Sequence, residues 1–240
     1  MYRSLLDSLK HCHQSPIDIV PDRIKCDRKK CEPNLLHLNF KKGDCERLVT
    51  GPSSCKVLAA ENSNTTLTAS HLPGTFRFVQ FHFHWGEDNS CGSEHTLNGA
   101  AFPLEAHFVF YNESYESPEN ALCHPDGFTV VAVFINEGNH NDAYGLLTDR
   151  IKDALIQRTS VKLPSEFDLC QLIPQHSDYL FYEGSLTTNP YNECVLWTIL
   201  LIPVEISAKQ IDEFRSICSA NYRGLQYIGE RIVFCSTEWK

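Results

Sequence analysis

Through most of this chain apolar and polar positions alternate with a period of two, the period of extended strands. Residues 35–40, 46–50, 65–70, 76–85, 105–111, 128–135 and 194–202 all read as strands on this basis. Successive strand side chains point to opposite faces. In the segment 76–85, Phe81, Phe83 and Trp85 therefore take one face, and Gln80, His82 and His84 take the other. Glu105, His107, Val109 and Tyr111 alternate in the same way with Ala106, Phe108 and Phe110. Only two segments carry a helical period. One spaces Tyr144, Leu147, Ile151 and Leu155, and the other opens with a Ser207–Gln210 capping box and buries Ile211 and Phe214. Many strands and few helices predict an α+β, strand-dominated fold with a large, mainly antiparallel sheet.

Composition narrows this picture without changing it. The 240 residues fit one β-rich domain, 1–240, with a full core, and no linker, repeat or low-complexity run divides them. A net charge of -9 argues against a phosphate-binding surface, so no nucleic-acid partner is expected; Arg28-Lys29-Lys30 reads as a solvated loop. The longest apolar run, 195–204, contains Thr198 and Pro203 and is too short to cross a bilayer, so no transmembrane segment is expected. Residues 1–13 mix Arg3, Asp7 and Lys10 among their leucines and show no signal-peptide core. A soluble, cytoplasmic chain is expected, with secretion as the alternative if a leader lies upstream. Eleven cysteines are an odd count, and at under 5% of the chain they fall below the roughly 8–10% of disulfide scaffolds. Reduced thiols are the default; a Cys26–Cys31 bridge stays open, and a Cys-only zinc site is disfavoured. The sequons at Asn64 and Asn112 matter only for an exported chain.

The chemistry concentrates on His82, His84 and His107, which alternation places on one face of neighbouring strands. Three neutral imidazoles leave a tetrahedral zinc ion one open position, which distinguishes a catalytic site from a closed structural one. A bare His-x-His pair is more often hydrogen-bonded than metal-bound. Here Gln80 and Glu105 each stand two residues before a histidine, on its own face, where they can accept from the outer ring nitrogen. His95 is expected as a buried hydrogen-bonding residue. His11, His13, His37, His71, His124, His140 and His176 read as surface or loop positions.

Five segments then carry a family resemblance. Gln14-Ser15-Pro16-Ile17-Asp18-Ile19, Gln80-Phe81-His82-Phe83-His84-Trp85-Gly86, Gly92-Ser93-Glu94-His95-Thr96, Glu105-x-His107 and Tyr182-x-Gly184-Ser185-Leu186-Thr187-Thr188 resemble, in order and spacing, the signature segments of the alpha-class carbonic anhydrases. The resemblance runs from about Gln14 to near Gln226. It implies a twisted sheet of about ten strands with helices on its surface, with zinc on His82, His84 and His107 at the floor of a cone, and a monomer. It also implies reversible hydration of carbon dioxide to bicarbonate and a proton by zinc hydroxide. The zinc-bound water would have a pKa of about 7, a value known for carbonic anhydrases and carried over with the resemblance. Thr187 would orient the nucleophile, with the acceptor-only carboxylate of Glu94 behind it. Val109, Val130, Leu186, Thr188, Val195 and Trp197 would line the substrate pocket.

Departures from the family pattern carry expectations of their own. Ser53 stands where the family usually has a histidine proton shuttle, so proton export is expected to limit turnover. Only 13 residues precede Gln14, Asn189 replaces the first proline of Thr-Thr-Pro-Pro, and Gly224 replaces a proline after Asn-x-Arg. By resemblance, the Ser15–Pro16 and Asn189–Pro190 bonds are expected to be cis. Two other functions stay open: a catalytically silent, partner-binding relative, and a different zinc hydrolase such as an esterase. The first typically lacks a zinc histidine; the second is disfavoured by a pocket narrowed by Val109, Val130 and Leu186.

Overall fold

The structure is a computed structural model that describes residues 12–32, 36–157, 160–174 and 176–237. The segment before Gln14 falls almost wholly outside these residues, as do Tyr2, His11 and Leu35. In chain order the strands are β1 (Asp18–Ile19), β2 (Ile24–Cys26), β3 (His37–Asn39), β4 (Cys45–Gly51), β5 (Ser54–Ala59), β6 (Thr66–Thr68), β7 (Phe76–Trp85), β8 (Thr96–Leu97), β9 (Leu104–Asn112), β10 (Phe128–Glu137), β11 (Ser160–Lys162), β12 (Tyr179–Gly184), β13 (Val195–Ile206) and β14 (Val233–Cys235). The helices are α1 (Pro118–Ala121), α2 (Asp142–Gln157) and α3 (Ala208–Arg215).

Twelve of the strands form one sheet in the order β11-β4-β5-β7-β9-β10-β13-β12-β14-β2, with β6 also pairing β7 and β3 pairing β6; β1 and β8 form a separate parallel pair. Pairing is antiparallel in the main sheet except at β10–β13 and β14–β2. The strand-dominated architecture expected from alternation is therefore present. β7 has the predicted bounds, β9 and β10 extend beyond theirs, and β13 starts one residue late and runs on past its predicted end. Two long strands were not legible as such. β5 follows the Pro52–Ser53 turn directly, Gly51 facing Ser54, and β12 is an apolar run without alternation because it is covered on both faces. β1, β2, β8, β11 and β14 have two or three residues each and owe their extended form to their partners.

The sheet separates two cores. On one face Phe81, Phe83, Trp85, Phe108 and Phe110 pack under α2 and α3 with Tyr144, Leu147, Ile151, Ile211 and Phe214, all essentially inaccessible to water. The Phe83 ring lies 4.7 Å from that of Phe214. Each such side chain contributes about 1.5–3 kcal/mol by burial, which fixes the strand faces and hence the direction in which His82 and His84 point. On the other face Val109, Val130, Ala132, Val195 and Trp197 form the second core. α3 starts at the predicted capping box, with Ser207 Oγ accepting from the Gln210 backbone and Gln210 Oε1 accepting from Ser207 N at 3.0 Å. The Ser15–Pro16 and Asn189–Pro190 bonds are both cis. Cys26 and Cys31 are not joined; the first is exposed and the second buried. Among the described residues, no helix is long and apolar enough to cross a membrane.

Candidate metal centre

His82 and His107 face each other in the β7–β9 register, and His84 lies two residues along β7 on the same face. The three imidazoles bring ring nitrogens within 4.8 Å of one another, His84 and His107 being buried and His82 retaining some exposure. Each outer ring nitrogen has a partner. His82 Nδ1 meets Gln80 Oε1 at 3.1 Å, His84 Nδ1 donates to the Asn221 carbonyl at 3.1 Å, and His107 Nε2 donates to Glu105 Oε1 at 2.7 Å. A neutral imidazole has one N–H. Gln80 Nε2 also lies 2.9 Å from His82 Nδ1; with Oε1 as the acceptor and each proton spent outward, His82 and His84 present Nε2 and His107 presents Nδ1, each as a bare lone pair.

His82 Nε2 and His84 Nε2 then face each other across 3.1 Å. Two lone pairs at that distance do not attract, and a cation between them resolves the conflict. In a tetrahedral zinc site the nitrogens stand about 3.3 Å apart, so the donor set fits that ion. Both imidazoles are also held neutral. Burial pushes His82 well below the usual histidine range, helped by the neighbouring His84 and His107 and by Lys56. Burial lowers His84 too, although Glu94 opposes it.

A second set of donors lies beside the first but is already saturated. Glu105 Oε1 accepts from His95 Nδ1 at 2.7 Å as well as from His107, and Oε2 accepts from His95 N at 2.8 Å. Burial would push the Glu105 carboxyl up, but His95 and His107 outweigh it and hold it well below the usual carboxylate range. Tyr182 Oη donates to His95 Nε2 at 2.7 Å, and Ser15 Oγ in turn donates to Tyr182 Oη at 2.8 Å. The expectation for His95, buried and hydrogen-bonded, is met. This relay fixes the His107 ring by tying it to the Gln14-Ser15-Pro16 segment, which also interlocks with Ser185 through two backbone-to-hydroxyl bonds of 2.9 and 3.0 Å.

Glu94 is buried behind the triad. Its Oε1 accepts from Arg223 N at 2.8 Å and lies 3.3 Å from His84 Nδ1. Its Oε2, 3.9 Å from His107 Nδ1, is the only buried side-chain nitrogen or oxygen among the described residues without a hydrogen-bond partner. The bond expected from Thr187 is thus not formed here, though Thr187 is buried. Thr188 is exposed, and its carbonyl closes a turn with Tyr191 N at 2.8 Å. Val109, Val130, Val195 and Trp197 share one apolar cluster, with Leu186 packed against it. Ser53 is exposed at the β4–β5 turn, and its carbonyl accepts from Asn221 Nδ2 at 3.1 Å.

Sequence reasoning missed Asn221 and Arg223. Besides serving His84, Asn221 accepts from Trp85 N through Oδ1 at 2.8 Å and donates to Phe83 O at 3.0 Å, locking the end of β7. In the sequence the Asn-x-Arg segment stands out only for its missing proline. His71 stands in a turn, as expected of a loop position, but is half-buried there: it bonds Thr198 Oγ1 at 2.7 Å and Tyr179 Oη at 3.2 Å, and burial pushes its pKa down to about 4.

The large mixed sheet carries three histidines on two adjacent strands, grouped so that they could hold one metal ion, with an apolar wall beside them, a site of the kind found in sheet metalloenzymes. The eukaryotic-type carbonic anhydrase family matches residues 4–237. Carbonic anhydrase 3 of Homo sapiens is 30% identical over 250 residues, covering 98% of this chain and 94% of that protein. Carbonic anhydrase 1 of Monodelphis domestica is 36% identical over 210 residues, covering 86% of this chain and 78% of that protein. The chain belongs to the eukaryotic-type carbonic anhydrase family, whose members hydrate carbon dioxide and depend in general on zinc.

Proposed function

We propose that this chain catalyses the reversible hydration of carbon dioxide to bicarbonate and a proton, with zinc held by His82 Nε2, His84 Nε2 and His107 Nδ1. The observation that carries the reading is the approach of His82 Nε2 and His84 Nε2 to 3.1 Å, beside His107, on histidines whose outer nitrogens have acceptors within reach. Zinc bound there supplies a Lewis acid that acidifies a water molecule at the open position. The chain's residues do the rest. Gln80, the Asn221 carbonyl and Glu105 fix the ring orientations. Thr187 accepts a hydrogen bond from the attacking group and donates one of its own to the unpaired Oε2 of Glu94, each proton staying on its oxygen. The attacking lone pair is thereby aimed at carbon, and the orphaned acceptor gains a donor. Val109, Val130, Leu186, Val195 and Trp197 supply an apolar wall suited to a small, linear, uncharged substrate, and Thr188 stands at its rim.

Ser53 cannot carry a proton near neutrality, so proton export limits turnover in this reading. The enzyme works as a cytoplasmic monomer of one domain, 1–240. The test is zinc content together with stopped-flow carbon dioxide hydration, for the wild type and His107→Ala. Stoichiometric zinc and hydration, both lost in the variant, are expected. Stoichiometric zinc without hydration would instead identify a partner-binding relative.

A further inference from the structure

β5 turns Ser54, Lys56 and Leu58 to the face of the sheet that carries the three imidazoles. The register is continuous across four strands: Lys56 faces His82, His82 faces His107, and His107 faces Ala132. Directly opposed residues on antiparallel strands have Cβ atoms about 4.5–5.5 Å apart, so the lysine stem starts beside the His82 ring. Lys56 is partly buried, and among the described residues its ammonium makes no ion pair and no hydrogen bond. The two buried carboxylates nearby are engaged elsewhere, Glu105 by His95 and His107 and Glu94 Oε1 by Arg223 N. The next cation on this face, Arg47, is turned to Ser160, its Nε donating to Oγ at 2.6 Å. The apolar wall of Val109, Val130 and Trp197 lies across the triad on β9, β10 and β13. The site is therefore apolar on one side and cationic on the other.

An ammonium without a counter-ion attracts anions, and the reaction turns an uncharged substrate into one. We propose, on the basis of the zinc reading above, that Lys56 forms an anion subsite beside the metal position. It holds bicarbonate as it forms, and small monovalent anions compete there. The wall on β9, β10 and β13 admits the neutral substrate, and the lysine on β5 retains the charged product.

The test compares wild type, Lys56→Met, which keeps the apolar stem, and Lys56→Arg, which keeps the charge, with Lys56→Gln as a second neutral variant. Bound metal is counted first. Dissociation constants for thiocyanate and bicarbonate are then read from the visible spectrum of the cobalt(II)-substituted proteins, and bicarbonate product inhibition from the zinc enzymes. One metal per chain in every variant is expected, with anion binding about tenfold weaker in the neutral variants and preserved in Lys56→Arg. Unchanged anion affinity in metal-replete Lys56→Met and Lys56→Gln would overturn the lysine subsite and leave the zinc reading standing. A wild type that takes up no metal would overturn both.

Discussion

Each imidazole of the triad gives its outer nitrogen to a different kind of acceptor: an amide, a backbone carbonyl and a carboxylate. Gln80 and Glu105 were legible because both stand two residues before their histidine, and a strand returns to the same face every second residue. The Asn221 carbonyl was not, because a main-chain oxygen has no residue type and its approach to His84 depends on an irregular segment 137 residues away. The partners of His71 were not legible for a related reason. Thr198 and Tyr179 lie on β13 and β12, and no local pattern joins them to residue 71. The half-burial of this histidine has a consequence for acid stability. A histidine with a folded-state pKa near 4 is neutral in both states above about pH 6.5, whereas below that the unfolded chain takes up its proton first. Stability is lost as pH falls from about 6.5 through 4, by about 3 kcal/mol from this group. Urea titrations of the metal-free protein at neutral and acidic pH are expected to show that loss reduced in His71→Gln; an equal acid loss would refute the assignment.

Among the elements, the long strands with one core-facing side were legible, whereas those covered on both sides or created by a neighbour were not. β7 and β9 keep their alternation because one face packs on aromatic rings and the other faces the site. The helices were legible from spacing and caps, but their connection was not. Gln210, 3% exposed, closes the α3 capping box and also accepts from Asn141 N at 3.0 Å and donates to Asn141 O at 2.7 Å. Asn141 Oδ1 in turn accepts from Ala143 N at 3.1 Å and Tyr144 N at 3.3 Å, capping α2. One side chain thus serves the starts of both helices over Phe83 and Trp85. Ser207→Ala is expected to cost about 1 kcal/mol, the usual loss of an N-cap. Gln210→Ala is expected to cost at least about 2 kcal/mol, because buried backbone groups at Asn141 also lose their partners. Denaturant midpoints of the two variants decide this, and equal losses would show that the bridge adds nothing.

At the scale of the molecule, the hairpin between β4 and β5 places Ser53 where its carbonyl receives Asn221, the residue whose own carbonyl holds His84. The turn is thereby anchored at the site but offers a side chain that cannot relay protons. Imidazole buffer is expected to raise the hydration rate at saturating substrate, and Ser53→His is expected to raise the rate in weak buffer and blunt the response. A wild-type rate indifferent to buffer would count against a missing relay. The resemblance made the overall architecture legible, since its segments fall on β1, β7, β9, β12 and the loops joining them. The sheet order was not written in any of them, because it depends on pairings between distant stretches.

Those pairings bear on the order of events during synthesis. β2 joins the main sheet only through β14, so residues 24–26 wait for residues 233–235. Asn221 and Arg223, which hold His84 and Glu94, belong to the same late-translated stretch. A nascent chain that already displays all three histidines still lacks the carbonyl that orients one of them and the amide that steadies the carboxylate behind them. On the proposed reading, tight metal capture therefore waits for residues 221–223 to dock, and it follows the folding of the strands that carry the histidines instead of nucleating it.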